Sequence, residues 1–198
     1  MREWDKAQLG YLYDANNDEA IIEDRIRCMD FCYEFNHCKP SDLSKQQKIM
    51  KKLLGKINGD FVINAPFFCD YGSNIELGKN FFANYNCTIL DAAKVSFGDS
   101  VFIAPNCVIT TSGHAFDREQ RAKGLEIALP ITIGNDVWIG ANVSILPGVT
   151  IGNNVIIGAG SVVNKDIPDG VIAAGVPCKV MRKITEEDKH KYPVYEEK

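Results

Sequence analysis

The chain has 198 residues, 45% of them hydrophobic, which is enough for one sizeable core with a small appended unit. Its net charge of -4 offers no broad basic footprint for nucleic acid, and no apolar run of about 18 residues marks a membrane span. No N-terminal segment joins a charged start to an apolar core as a signal peptide does, so a cytoplasmic protein is expected.

Residues 1–58 are rich in charge and carry no repeat. A helix is predicted to open at Asp18 and Glu19, with Ile22, Ile26, Met29, Cys32, Tyr33 and Phe35 as its apolar stripe. Lys39-Pro40 breaks it, and a second helix is predicted from Ser41 or Ser44 through Ile49, Met50, Leu53 and Leu54 to Gly55. The seven cysteines, Cys28, Cys32, Cys38, Cys69, Cys87, Cys107 and Cys178, are an odd number with no C-x-x-C pair, which favours reduced thiols over a disulfide framework. Cys28 and Cys32 stand four apart on the first helix. They read as half a metal site or as two small buried residues on one face, and the usual burial of free cysteine favours the second.

Beyond residue 60 the texture changes. Ile133, Ile139, Ile145, Ile151, Ile157 and Val163 recur every six positions, and Phe97, Ile103 and Ile109 lie in the same phase. A period of six fits neither a helix nor one long strand; it fits a solenoid whose sides are short strands ended by tight turns. The aliphatic residue is predicted to point inward, with Gly, Asn or Asp supplying a turn that tolerates positive φ. Ile75, Phe81 and Cys87 repeat by six in another phase, which implies four inserted residues between Cys87 and Phe97. Residues 115–130 are charged and aperiodic, and read as an excursion loop that rejoins the solenoid in register. After Val163 come an Asp-Gly turn, a last strand, a break at Pro177 and a polar tail over 185–198 that forms a short helix or loose end. Terminal coils need a cover, so the two N-terminal helices belong over the open end.

Of the three histidines, His190 sits in the polar tail and His37 at a helix end, where a solvated and a hydrogen-bonded structural role suffice. His114 stands where the repeat stops and the excursion begins, a junction suited to mounting a functional group. Imidazole suits general base work because its ordinary pKa lies near neutrality. Trp138 and Ile139 are possible packing for its ring.

The repeats, the segment F-F-A-N-Y-N around Asn84, I-A-P-N at 103–106, G-H at 113–114 and the closing A-A-G-V-P-C-K-V together resemble the maltose and galactoside O-acetyltransferases, a branch of the hexapeptide-repeat acyltransferases. G-Y-L-Y-D-A-N and R-I-R-C-M-D-F-C-Y-E-F-N resemble the helical cap of that branch, and the similarity runs from about Tyr11 to Ile184. The resemblance implies a mainly β fold, a left-handed parallel β-helix over residues 59–184 with a maltose-acetyltransferase-like helical cap over 1–58. It also implies a homotrimer with sites between subunits, acetyl-CoA as co-substrate, no catalytic metal, and a sugar or other hydroxyl-bearing acceptor. Neither nucleic acid nor membrane is an expected partner.

Carried over by position, His114 matches the general base of a direct transfer, and Asn84 a group holding the acetyl moiety and its developing charge. Glu126 is a candidate to orient His114. Asp14, Arg25, Asp70 and Asp91 would line the acceptor side with Asn84, since carboxylates and a guanidinium match sugar hydroxyls. Asn84, Trp138, Ala141, Ala159, Asn164, Lys165, Lys179 and Arg182 would serve the coenzyme, the small residues by close approach and the cations by phosphate pairing. Asp70 stands where the galactoside enzyme has Ser, and Ala92 where it has a second Asp; both differences bear on acceptor identity.

Three other readings are set against this one. A γ-class carbonic anhydrase shares the solenoid but needs several histidines on its coils, and only His114 stands there. A non-catalytic trimeric scaffold explains the repeat but not His114 together with Asn84. A xenobiotic or antibiotic acetyltransferase is the alternative within the enzyme class.

Overall fold

The six-residue period predicts a solenoid, and the computed structural model, which describes residues 1–195, shows one with three sides. Strands of two to five residues stack in parallel to form three sheets, apart from an antiparallel return at the last strand. The first face stacks Lys56–Ile57, Ile75–Leu77, Val95–Phe97, Ile131–Ile133 and Thr150–Ile151. The second runs from Phe61–Ile63 through Phe81–Ala83, Val101–Ile103, Val137–Ile139 and Val155–Ile157 to Val171–Ala174 and the antiparallel Lys179–Lys183. The third stacks Phe67–Cys69, Cys87–Leu90, Val108–Thr110, Ser144–Ile145 and Val162–Val163.

In a three-residue strand the first and third side chains share a face, so a typical rung sends two residues inward and one outward. Val137 and Ile139 are fully buried while Trp138 between them is exposed. Each inward residue stacks on its equivalent, as Ile103 does on Ile139 and Ile139 on Ile157. One contiguous core results, built from coils that would each be too small to fold alone.

The early phase shift has a different size from that expected. Ile75 pairs with Val95 and Thr88 with Val108, twenty positions on, whereas Ile133 pairs with Ile151 eighteen positions on. The early coils thus carry two extra residues, not four. Ile75, Phe81 and Cys87 stack in the inward column two places ahead of Phe97, Ile103 and Ile109. The extra residues fall at the corner after the third face, beside Asp70 and Asp91.

The turn residues also divide their work differently. Positive φ is held by Asn80, Asn86, Ser100, Asn106, Asp136, Asn142 and Asn154, and on later coils by Gly160 and Gly170 in the same turn position. The glycines directly after the aliphatic residues do not adopt it. At Gly98 a Cβ would stand 2.7 Å from the carbonyl oxygen of Gly134, and at Gly134 2.7 Å from that of Gly152. These glycines let successive corners approach at the sheet spacing.

At the N-terminus a short helix not anticipated from sequence, α1 (Glu3–Gln8), precedes α2 (Glu19–Asn36) and α3 (Leu43–Leu53). Asp18 caps α2 by accepting from the Ile21 N–H, and Asp42, rather than either serine, caps α3 by accepting from the Lys45 N–H. The buried stripe of α2 is Ile21, Cys28, Cys32 and Phe35; Ile26, Met29 and Tyr33 of the predicted stripe are 49%, 54% and 67% exposed. Both stripes have helical spacing, so periodicity could not choose between them. Cys28, Cys32 and Phe35 join Ile49, Met50, Leu53 and Leu54 in the core cluster that contains Phe61 and Phe67, which closes the open end of the prism.

The excursion is an ordered hairpin. Ser112–His114 and Leu125–Ala128 pair antiparallel around a short helix, α4 (Arg118–Ala122), and Tyr13–Asp14 adds a third strand. Its return is in register, because Ile133 pairs with Phe97. Pro177 lies in a turn from which Lys179–Lys183 folds back on Val171–Ala174, so the chain reverses there. The tail forms a 3-10 helix over Glu186–His190; residues 196–198 of the predicted tail lie outside the described residues. Among the described residues no helix is long and apolar enough to cross a membrane.

Candidate active site

The corner after the third face is where the repeat departs from its period. Two coils widen there, and the next leaves as the hairpin. In that hairpin the central strand Leu125–Ala128 sets Glu126 opposite both Tyr13 and His114. Residues directly opposite in antiparallel strands share a face, so the three side chains stand in a row. His114 Nδ1 lies 4.0 Å from Glu126 Oε1, and the Tyr13 hydroxyl donates to Glu126 Oε2 at 3.4 Å. His114 is exposed while the Glu126 side chain is largely covered.

A cavity of about 330 Å³ opens beside this row, walled by Tyr13, Arg25, Asp70, Tyr71, Leu90, Ala92, Thr110, Ser112, Gly113, His114 and Glu126. Arg25 comes from the buried side of α2 and donates to the Ala15 carbonyl. Burial pushes the Asp70 carboxyl up; Arg25 opposes this and Glu126 adds to it. Burial likewise pushes Tyr71 up to about 12 and Tyr13 further up. The cavity therefore offers a guanidinium, two carboxyl groups, two phenols and an imidazole.

Asp91 has a different position from that expected of an acceptor ligand. It is fully buried, its Oδ1 accepts from the Asp70 and Tyr71 N–H groups at 3.1 and 2.9 Å, and its Oδ2 accepts from the Asn74 N–H at 3.2 Å. Burial pushes it up to about 6 against the pull of those bonds. It shapes the corner that presents Asp70 and Tyr71. Asp14 also stays outside the cavity wall, its carboxylate turned to Asn16 and Asn17 in its own turn.

The remaining expected residues lie elsewhere. Asn84, Ala141 and Ala159 follow strands of the second face, on the next corner of the prism, and the Asn84 Oδ1 accepts from the Tyr85 N–H. Trp138 points outward from the second face and Ile139 into the core, so neither packs on His114. Asn164 and Lys165 end the third face two coils beyond Thr110. Lys179 and Arg182 lie on the last strand, where Arg182 pairs with Asp188 at 2.7 Å and holds that carboxyl well below the usual range. One chain does not bring Asn84 into the His114 cavity. His37 Nδ1 donates to the Tyr33 carbonyl at 2.9 Å and its ring stacks on that of Tyr33, a structural placement.

Sequence reading missed Tyr13, Tyr71 and Ser112 as cavity residues. Tyr13 and Tyr71 adjoin Asp14 and Asp70, and Ser112 lies two places before His114 in an extended strand, but adjacency does not say which neighbour faces the cavity.

Residues 6–59 match the maltose acetyltransferase hexapeptide capping motif, and residues 130–165 match the bacterial transferase hexapeptide, six repeats. The galactoside O-acetyltransferase of Escherichia coli is 48% identical over 174 residues, covering 88% of this chain and 86% of the relative. A galactoside acetyltransferase solved in complex with coenzyme A superposes with a TM-score of 0.94 at 45% identity, covering 98% of this chain and 96% of that one. A maltose O-acetyltransferase from Clostridium difficile 630 superposes with a TM-score of 0.92 at 44% identity, covering 94% of this chain and 99% of that one. With its helical cap, its hexapeptide solenoid and these relatives, the chain belongs to the maltose and galactoside O-acetyltransferase branch of the hexapeptide-repeat acyltransferases.

Proposed function

We propose that the protein transfers the acetyl group of acetyl-CoA to a hydroxyl of a sugar or glycoside bound in the His114 cavity. The observation that carries this is the His114 and Glu126 pair set at a cavity walled by Arg25 and Asp70. With Nδ1 turned towards Glu126, Nε2 is the nitrogen left to take the acceptor proton as its oxygen attacks the thioester. The imidazolium so formed is stabilised by Glu126 and returns the proton to the leaving thiolate. A gap of 4.0 Å is long for a hydrogen bond, and such contacts tighten once substrate is bound. Charged and hydroxyl-bearing walls favour a polyol over an apolar xenobiotic.

Incubating the protein with acetyl-CoA and a panel of glucosides, galactosides, maltose and antibiotics, with free thiol as the readout, tests the reading. Release is expected with sugars; acceptor-independent release across the whole panel would overturn it. Arg25→Ala is expected to lower acceptor kcat/KM by roughly 10–100-fold, as for the loss of one charged hydrogen bond. The acetyl-CoA KM should stay unchanged, and an equal weakening of both would remove Arg25 from the acceptor side.

The complete site belongs to a homotrimer in this reading, and the solenoid to the left-handed class. Two features support the trimer. Asn84 and the coenzyme candidates lie away from His114 within one chain, and Val62, Phe102 and Trp138 form part of an outward ladder on the second face that is 53%, 41% and 54% exposed. Such a ladder calls for a covering partner. Acetyl-CoA would lie along the Asn84, Ala141 and Ala159 corner, with Trp138, Asn164, Lys165 and Lys179 around it; Arg182 would have to leave Asp188 to join them. Mixing inactive His114→Ala chains with inactive Lys165→Ala chains is expected to restore part of the activity. A monomer with full turnover in dilute solution would rule the shared site out. A cytoplasmic location agrees with a supply of acetyl-CoA.

A further inference from the structure

The strand Phe67–Cys69 brings a third cysteine to the pair on α2. Cys28, Cys32 and Cys69 are all buried, their sulfur atoms lie within 4.8 Å of one another, and they form the one such cluster of potential metal ligands among the described residues. Cys28 Sγ stands 3.4 Å and Cys32 Sγ 3.9 Å from Cys69 Sγ. Three sulfurs each about 2.3 Å from a common centre stand about 3.4–4.0 Å apart. Two edges already meet that spacing, and the third is within 4.8 Å. A solvent-open cavity of about 330 Å³, whose wall includes Arg27, Cys28, Phe31, Lys52, Tyr71 and Ser73, gives a route in.

We infer that Cys28, Cys32 and Cys69 form a three-thiol site for one trivalent thiophilic centre, arsenic(III) or antimony(III), held between the helical cap and the first full coil. Charge selects the valence. The groups acting on the three thiols are one another, the Cys69 backbone, burial and, on Cys28, the Asp91 carboxylate; the cations of the cavity wall, Arg27 and Lys52, are exposed, so none is buried with bound thiolates. A monovalent ion would leave two net negative charges buried and a divalent ion one, whereas a trivalent centre leaves none. With arsenous acid three As–O bonds break and three As–S bonds form. Each thiol proton leaves in a water molecule, three waters in all, and no atom changes oxidation state. The site is distinct from the His114 cavity but adjoins it, because Cys69 precedes Asp70 and Cys28 lies one turn beyond Arg25 on α2.

The test is native mass spectrometry of the full, reduced chain with a small excess of arsenite. One adduct per chain is expected, with the mass of one arsenic less three hydrogens, together with a higher thermal midpoint because the centre ties α2 to the solenoid. Cys28→Ala, Cys32→Ala and Cys69→Ala should each abolish that adduct, while Cys38→Ala, outside the cluster, should keep it. Because a core variant can fail to fold, arsenic X-ray absorption on the wild-type protein gives a second readout. Three sulfur neighbours and no oxygen are expected. A wild-type chain that takes up no arsenic, one whose arsenic retains oxygen, or an adduct that survives Cys69→Ala would overturn the inference.

Discussion

His114→Ala is expected to lower kcat by about 10²–10⁴-fold, the usual contribution of a positioned general base. The acetyl-CoA KM should change little, because the coenzyme candidates lie on another corner of the prism or on later coils. Glu126→Gln is expected to have a smaller effect of the same kind, since it removes the charge beside Nδ1 but keeps the side chain that the Tyr13 hydroxyl reaches. The measurement is steady-state kinetics on the best acceptor of the panel. Wild-type kcat in His114→Ala would make His114 a structural residue and require a different base.

The second large effect is expected at a residue that never meets substrate. Asp91→Ala would leave the Asp70, Tyr71 and Asn74 N–H groups without their acceptor at a buried corner. Orphaned buried donors cost about 1–3 kcal/mol each where water cannot replace the partner, so a loss of about 3 kcal/mol is expected. Acceptor kcat/KM should fall as well, because Asp70 and Tyr71 line the cavity. Urea titration and kinetics on the same variant check both, and unchanged stability would show that water reaches the corner.

Asp91 also gives stability a pH dependence of defined sign. Burial pushes it up to about 6 in the folded chain, against about 3.9 for an unperturbed aspartate. The folded state therefore binds this proton more tightly than the unfolded state. The resulting stabilisation is fully present below about pH 4 and is lost as pH rises through about 6. Subtracting an Asp91→Asn profile from that of the wild type isolates the component, since asparagine does not titrate there. Its amplitude is on the order of 2–3 kcal/mol, and a flat difference between pH 4 and 7 would show an Asp91 with an ordinary pKa.

The six-residue period by itself determined the solenoid, the inward columns through Ile103, Ile139 and Ile157, and the in-register return at Ile133, because each coil repeats the same local problem of one strand and one turn. His114 was legible for the same reason, as a histidine placed where that repetition stops. Family resemblance added the roles proposed for Asn84 and the coenzyme residues, and the hand of the solenoid is not a property that spacing encodes. Three things depended on tertiary structure. The buried face of α2 was decided by which of two equally periodic stripes met the first coil, so Cys28 rather than Met29 turned inward. The Tyr13, Glu126 and His114 row arose because Glu126 pairs with His114 across the hairpin and with Tyr13 from a segment more than a hundred residues away. Asp91 left the acceptor side for the core because the widened corner presented three backbone N–H groups that needed an acceptor, a requirement that exists only once the coils have stacked.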